Sequence, residues 1–127
     1  MPAKVVDASA LAALLFGEAE GVAVAERLGA ADLIAPALLP FEIANACIRK
    51  IRRDPDRRDA FMAAFGMLDR LEVALVEVDH GEVLGLAERS GLTAYDASYL
   101  WMARRMSCEL ITLDRQLAAA GATDRLA

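Results

Sequence analysis

The feature of this sequence that most constrains its fold is a regular alternation of short apolar runs with longer helical segments. The apolar runs at 5–6, 33–35, 74–78 and 110–112 have the composition of buried strands. Apolar spacing, prolines and glycines predict helices over 8–16, 22–28, 40–53, 60–68, 82–89, 95–105 and 116–120, the last ending at Gly121. Because such strands form parallel sheets covered on both faces, we expect an α/β three-layer sandwich with a central, mostly parallel sheet of four to five strands.

Length and composition favour one self-sufficient folding unit. The 127 residues suffice for a single domain spanning 1–127, and 57% hydrophobic residues exclude a disordered chain. Cys47 and Cys108 form no closely spaced ligand pair and lie in apolar stretches, so we expect core thiols in a reducing, cytoplasmic setting. No apolar run approaches the roughly 18 residues of a membrane span, and the first residues show no signal-peptide pattern.

Acidic residues follow the predicted strands or begin the predicted helices. Asp7 and Asp114 come after the first and last strands, while Glu42 and Asp96 fall in first helical turns. Because a parallel sheet places its ligand site beyond the carboxyl ends of its strands, all four acids could meet there. Each alone is better explained as a helix cap or dipole partner, and Thr93, three residues before Asp96, is itself a predicted helix cap. Asp79 also follows a strand and resembles a cap, so position alone does not select the site.

Glu42 is the acid least easily explained as a structural residue. It lies within 33–48, where Asn45 is the only other polar side chain. The i, i+3 spacing places both on one helix face. We expect the buried stripe of this helix to contain Phe41, Ala44 and Ile48. A mostly apolar segment with one acid and one amide on a shared face predicts a partly dry acidic pocket.

Four carboxylates in one pocket predict a bound cation. Two unit charges about 4 Å apart repel by about 1 kcal/mol in water and more strongly near a low-dielectric wall. Such a cluster would protonate or separate unless a cation occupied it. Oxygen ligands without histidine favour Mg²⁺ or Mn²⁺, which can hold a phosphate oxygen and activate a water for attack on phosphorus. Hydrolysis of a phosphodiester is therefore a reasonable but not a forced inference.

The single histidine excludes two other chemistries. With only His80 present, paired-imidazole cleavage of RNA and a three-histidine zinc site both fail by counting. His80 follows Asp79 at a predicted helix start, and we assign it no catalytic role.

Three polar residues near the acids are candidate supports. Ser9 lies two residues after Asp7 and could hydrogen-bond to its carboxylate, or it could simply be a first-turn serine. Asn45 could orient Glu42 or a metal-bound water, or it could be an ordinary solvated helix residue, and its apolar surroundings favour the first role. Thr112 could brace the turn at Asp114, or it could reflect the strand preference of a β-branched residue.

The net charge of −5 gives no overall attraction to nucleic acid, so any such binding must be local. Cations crowd residues 49–58, interrupted by aspartates. Such a run is usually a solvated helix end whose cations suit the helix dipole. The candidates for RNA contact are Arg49, Lys50, Arg52 and Arg53, and Arg49 is the best single one because it lies two turns beyond Glu42.

Four segments carry a resemblance that covers residues 4 to about 121. They are Val5-Val6-Asp7-Ala8-Ser9, Phe41-Glu42-Ile43-Ala44-Asn45, Leu92-Thr93-Ala94-Tyr95-Asp96-Ala97-Ser98-Tyr99 and Leu110-Ile111-Thr112-Leu113-Asp114. In order and spacing the chain resembles a PIN-domain ribonuclease of the small type found as the VapC toxin of toxin–antitoxin pairs. The third segment is the most specific of the four.

The resemblance implies an activity and its partners. Asp7, Glu42, Asp96 and Asp114 would bind one or two Mg²⁺ or Mn²⁺ ions for endoribonuclease cleavage of RNA such as tRNA or rRNA. Asp114 is the weakest assignment, because the fourth acid varies most in such proteins and could act through water. The resemblance further implies a homodimer and inhibition by a small cognate antitoxin, with no membrane involvement.

Two other classes remain as alternatives. A phosphoacceptor signalling module would require an acid pair after the first strand and a lysine after a late strand, but Ala8 follows Asp7 and the only lysines are Lys4 and Lys50. A haloacid-dehalogenase-type phosphatase would require Asp-x-Asp where this chain has Asp7-Ala8-Ser9. A non-catalytic interaction module is the other alternative, although the expected acids are all present.

Overall fold

Four short strands pair in parallel at the centre of the structure, a computed structural model that describes the backbone of residues 2–126 and the side chains of residues 2–122. The strands are β1 (Ala3–Val6), β2 (Asp32–Pro36), β3 (Ala74–Val76) and β4 (Glu109–Ile111). They are arranged in the order β3-β2-β1-β4, and every pairing is parallel. The prediction of a parallel α/β sheet is confirmed, with the smaller of the two expected strand numbers within the described residues.

The strand order creates a switch point beside β1. The chain moves outward from β1 through β2 to β3 and then returns to place β4 on the other side of β1. In such sheets the connections on the two sides of the switch point leave a crevice beyond the carboxyl ends of the strands. The residues that follow β1 and β4 therefore face the same crevice.

Seven α-helices flank the sheet within residues 2–126. They are α1 (Ala8–Leu15), α2 (Gly21–Leu28), α3 (Leu39–Arg53), α4 (Arg58–Gly66), α5 (His80–Ser90), α6 (Ala94–Met106) and α7 (Arg115–Leu126), with short 3-10 helices at Pro55–Arg57 and Met67–Leu71. The last predicted helix was wrong at its end, because α7 continues through Gly121 to Leu126. Gly121 does not have a positive φ, and a glycine inside a helix costs only about 1 kcal/mol.

The core lies on both faces of the sheet, as buried parallel strands require. Val5, Val6 and Ile111 are fully buried on the central strands. Helix α6 contributes Tyr99, Leu100 and Met102 from the covering layer. This apolar burial fixes the ends of β1, β4 and α6 relative to one another, and those ends carry the acidic residues.

The predicted buried stripe of α3 was wrong. Its buried side chains are Leu39, Ile43 and Cys47, whereas Phe41 is 77% exposed and Ala44 and Ile48 are only half-buried. Both sets have helical spacing, and packing of α3 against α1 and α4 determines which of them is buried. The expectation that Cys47 is a core thiol is confirmed, and Cys108 is half-buried. On α4 the side chain of Phe61 is buried, whereas Ala60 is exposed.

Candidate active site

One cavity of about 530 Å³ opens at the carboxyl end of the sheet and brings together all four predicted acids. Asp7 enters it from the end of β1 and Asp114 from the segment after β4. Glu42 comes from the first turn of α3 and Asp96 from the first turn of α6. Residues separated by more than one hundred positions in the chain thus line a single space.

Asp7 is the most deeply placed of the acids, with only 4% of its surface exposed. Its Oδ1 accepts hydrogen bonds from the Ala10 amide at 3.0 Å and the Ser9 hydroxyl at 2.8 Å. Its Oδ2 accepts a 2.5 Å hydrogen bond from the Thr112 hydroxyl. Both carboxylate oxygens are therefore held by hydrogen bonds, Oδ1 by residues of α1 and Oδ2 by the segment after β4.

Ser9 and Thr112 join the ends of β1 and β4. The Ser9 hydroxyl accepts a 3.0 Å hydrogen bond from the Leu113 amide, and the Thr112 hydroxyl accepts one of 3.0 Å from the Asp114 amide. Each hydroxyl donates to Asp7 while accepting from the backbone that leads to Asp114. The two predicted supporting hydroxyls thus hold one acid and position the chain that carries another.

Tyr99 supports Glu42 in a comparable way. Its hydroxyl donates a 2.6 Å hydrogen bond to Oε1 of Glu42, and its ring is buried with 1% exposure. Tyr99 was not among the candidate site residues named from the sequence. The available signal was spacing, because Tyr99 lies three residues after Asp96 and so shares its helix face. Tyr95, by contrast, is 66% exposed.

The remaining two acids, Asp96 and Asp114, line the cavity and lie at the N-terminal ends of helices. The amide of Asp96 donates to the Thr93 hydroxyl at 3.1 Å, which confirms Thr93 as the cap of α6. Oδ1 of Asp114 accepts from the Leu117 amide at 2.8 Å and caps α7. Asp79 caps α5 through the Glu82 amide at 2.9 Å but does not line the cavity. Tertiary structure thus separates Asp79 from the four acids that it resembles in sequence.

The protein environment raises the pKa of three of these carboxyl groups. Burial is the largest cause for Asp7, Glu42 and Asp96. Repulsion from neighbouring carboxylates adds to the rise, from Asp114 on Asp7 and Asp96, and from Asp96 on Glu42. Hydrogen bonds from Thr112 to Asp7 and from Tyr99 to Glu42 act in the opposite direction. Burial and the negative charge of Glu42 also raise the pKa of Tyr99 above its ordinary value, so its hydroxyl stays a donor.

The donor chemistry of the cavity fits a hard divalent cation. The negatively charged side chains that line it are all carboxylates, and His80 is not among the lining residues. Among residues 2–122, no group of three His, Cys, Asp or Glu side chains is already arranged as a metal site. Asp7, Glu42 and Asp114 are each held by hydrogen bonds within the protein, and repulsion from neighbouring carboxylates adds to the raised pKa of Asp7 and Glu42.

Basic side chains of α3 line the other part of the same cavity. Arg49, Lys50 and Arg53 are among its lining residues, together with Asn45, whereas Arg52 is exposed and lies outside it. Lys50 is engaged by Glu18, with Nζ 2.8 Å from Oε1, and its Nζ lies 5.5 Å from the centre of the Phe16 ring. Of the four predicted RNA-contact residues, the structure therefore places three beside the acids.

Comparison with known proteins agrees with this geometry. The family model described as PIN domain matches residues 4–122. Ribonuclease VapC3 of Pyrobaculum aerophilum is 37% identical over 124 residues, covering 90% of this chain and 91% of that protein. Ribonuclease VapC9 of Mycobacterium tuberculosis is 39% identical over 124 residues, covering 92% of this chain and 90% of that protein. The crystal structure of PAE2754 from Pyrobaculum aerophilum aligns with a TM-score of 0.74 and 29% identity, covering 93% of this chain and 84% of that one.

The chain therefore belongs to the PIN-domain family. Because its curated relatives carry the VapC name over nearly their whole lengths, it is a VapC-type member of that family. The resemblance inferred from the four sequence segments is confirmed. Among the described residues, no helix has the length and apolar character needed to cross a bilayer.

Proposed function

We propose that this protein is a divalent-metal-dependent endoribonuclease and the toxin of a toxin–antitoxin pair. The observation that carries the proposal is that Asp7, Glu42, Asp96 and Asp114 line one cavity, which three basic side chains of α3 also line. The ribonuclease names of its relatives support RNA as the substrate. The absence of a second histidine in the sequence leaves carboxylates as the groups able to support hydrolysis.

The charge of the cavity supports a requirement for Mg²⁺ or Mn²⁺. Five carboxylates, those of the four acids and of Glu18, face three basic side chains. A polyanion would be repelled by this excess of negative charge, and burial together with repulsion between neighbouring carboxylates raises the pKa values of Asp7, Glu42 and Asp96. When bound there, a divalent ion would neutralise the acids, hold a phosphate oxygen and lower the pKa of a water molecule.

The side chains of this chain have separable roles in such a reaction. Asp7, Glu42 and Asp96 would hold the ion, and Asp114 would do so directly or through water. Ser9 and Thr112 orient the carboxylate of Asp7, and Tyr99 orients that of Glu42. Asn45 lies at the cavity wall one turn beyond Glu42, where its amide could hydrogen-bond to the substrate or to water. The basic wall would hold the phosphates of the substrate.

Partners and target follow from the same family membership. We propose a homodimer, inhibited by a small cognate antitoxin and acting in the cytoplasm on a structured RNA such as tRNA or rRNA. Folded RNA presents shape and unpaired bases for recognition, so selection of the target would depend on surfaces outside the acidic pocket.

A direct assay tests the activity. Purified protein freed of any antitoxin is incubated with total RNA in Mg²⁺ or Mn²⁺, and again with excess EDTA. We expect endonucleolytic fragments with the metals and none with chelator, with activity restored by added metal. Cleavage that persists in EDTA would reject metal dependence, and the absence of cleavage with either metal would favour the non-catalytic alternative.

The phosphoacceptor alternative receives no support from the geometry. Lys4 lies at the start of β1, where Nζ is 3.7 Å from Glu109 Oε1, and Lys50 is paired with Glu18. No lysine follows β4, where such a module would place one.

A further inference from the structure

The basic wall of the cavity is built on one face of α3. Arg49 and Arg53 lie seven and eleven positions after Glu42, and all three line the cavity. With 3.6 residues per turn, both arginines fall within about 20° of Glu42 around the helix axis. The helix thus presents one carboxylate at its first turn and two guanidinium groups farther along the same line.

These two arginines are available to an incoming anion. Within residues 2–122, the side chains of Arg49 and Arg53 form no hydrogen bond or ion pair, and both residues are exposed. Lys50 is held by Glu18, and Arg52 lies outside the cavity. A guanidinium group presents a fork of N–H donors that matches a phosphate, which makes arginine well suited to a backbone contact.

The helix also sets the distance of each arginine from the acids. A rise of 1.5 Å per residue places Arg49 about 10 Å and Arg53 about 16 Å along the axis from Glu42. A helical nucleic-acid strand carries one phosphate per about 3.4 Å of axis, so these offsets correspond to about three and about five phosphates, and fewer in a stretched strand.

On the premise that this cavity cleaves RNA, we propose that Arg49 and Arg53 form a phosphate-binding track along α3. The RNA strand leaves the acids in one direction and follows the helix, so the enzyme contacts several nucleotides on one side of the scissile bond. Because phosphates carry no sequence information, the track sets the register and the minimum length of the substrate and leaves sequence selection to other contacts.

Salt-dependent binding provides the test. Binding of fluorescein-labelled single-stranded oligoribonucleotides, from dinucleotide to octanucleotide, is followed by anisotropy with Mg²⁺ present over a range of salt concentrations. An Asp96→Asn background prevents cleavage during the measurement. Into this background are introduced Arg49→Ala, Arg53→Ala and the matched control Arg52→Ala, which removes the same charge from the same helix turn outside the cavity. Circular dichroism checks that each variant is folded.

Each lost phosphate contact has a defined signature. We expect Arg49→Ala and Arg53→Ala each to lower the salt slope for the octanucleotide by about 0.7, which is about fivefold weaker binding near 0.1 M salt. Binding of the dinucleotide should not change, because it does not reach the arginines. Arg52→Ala should match its parent at every length. Arg49→Lys should keep the slope and lose affinity, because the charge remains and the fork is lost.

Other outcomes would overturn the track. An unchanged slope in both arginine variants would leave their charges as helix-dipole partners. An equal loss with Arg52→Ala would show only nonspecific attraction by the whole helix end. If both variants keep RNA affinity but lose binding of an acidic peptide such as polyglutamate, the surface belongs to a protein partner. Cleavage by the wild-type protein is measured separately, so the ribonuclease proposal survives or fails independently of this result.

Discussion

The hydroxyl group of Tyr99 donates a 2.6 Å hydrogen bond to Oε1 of Glu42 across 57 positions of sequence. This contact joins α6, which carries Asp96, to α3, which carries Glu42 and the basic wall. It holds one oxygen of a carboxylate that lines the cavity and leaves Oε2 of Glu42 without this hydrogen bond. Tyr99 is therefore a positioning residue for the acidic site.

Replacing Tyr99 by phenylalanine should impair the site more than the fold. The ring and its packing are retained, while the donor to Glu42 is lost. We expect metal affinity or activity to fall by about 10- to 100-fold, because this is the usual effect of removing a hydrogen-bond partner of a metal ligand. Electron paramagnetic resonance measures the affinity for Mn²⁺ directly, without substrate turnover.

The matched control is Tyr95→Phe, at the exposed tyrosine of the same helix. It should bind Mn²⁺ and cleave RNA as the wild-type protein does. Equal Mn²⁺ affinity in Tyr99→Phe and wild type would show that the hydrogen bond serves only packing.

Removal of one cavity charge should separate catalysis from capping. Asp96→Asn keeps the shape of the side chain, and the cap of α6 comes from Thr93. We expect RNA cleavage to fall to background while the melting temperature is unchanged or raised, because a poorly compensated charge is lost. Asp7→Asn is less easily interpreted. The Thr112 hydroxyl donates a hydrogen bond to Oδ2 of Asp7, and an amide nitrogen in the place of Oδ2 could not accept it.

Asp79→Asn supplies the control for that experiment. Asp79 also follows a strand and caps a helix, but it lies outside the cavity. This variant should cleave RNA normally. Loss of cleavage in both variants would mean that cleavage responds to the loss of any acidic charge rather than to a charge in the cavity.

The raised carboxyl pKa values predict an unusual pH dependence for protein kept in chelator. The pKa values of Asp7, Glu42 and Asp96 lie above the ordinary 3.8 for aspartate and 4.5 for glutamate. Between these ordinary values and the raised ones, the folded protein binds more protons than the unfolded chain, so the free energy of unfolding falls as pH rises. Urea unfolding at a series of pH values from the ordinary carboxyl pKa upward towards neutrality measures this fall.

Two comparisons make the pH experiment specific. Asp96→Asn should show a shallower fall because one contributing group is gone. Added Mg²⁺ should restore stability at neutral pH, by about 2.7 kcal/mol at one hundred times its dissociation constant. Stability that rises with pH in chelator would contradict the assignment of uncompensated charge to this cavity.

The contact between α1 and α2 depends on the absence of a side chain at Gly21. A Cβ there would lie 2.7 Å from the carbonyl oxygen of Ala13, which is backbone and cannot move aside. We expect Gly21→Ala to destabilise the protein by about 1–3 kcal/mol, as overpacking does. Thermal or urea unfolding provides the measurement.

Gly66→Ala is the corresponding control, since a Cβ at Gly66 would meet nothing within 4 Å and its φ is not positive. It should be neutral or stabilise by up to about 1 kcal/mol through helix propensity. If Gly21→Ala were equally harmless, the two helices would have to separate easily at this contact.

Much of the secondary structure could be read from local patterns. The first helix was predicted over 8–16 and is observed at Ala8–Leu15, and the predicted caps Asp7, Thr93 and Asp79 are confirmed by their hydrogen bonds. A cap and a helical period depend on residues within a few positions of one another, so the chain carries that information directly. The phase of α3 was predicted wrongly because two apolar stripes have the same period.

By itself, the sequence determined that strands and helices alternate and that acids stand where the strands end. Only the tertiary structure decided that Asp114 joins Asp7 while Asp79 is left outside, that Tyr99 reaches Glu42, and that Arg53 faces the acids while Arg52 does not. The physical reason is that strand order and helix rotation are fixed by burial of apolar side chains from distant segments, which no local spacing records.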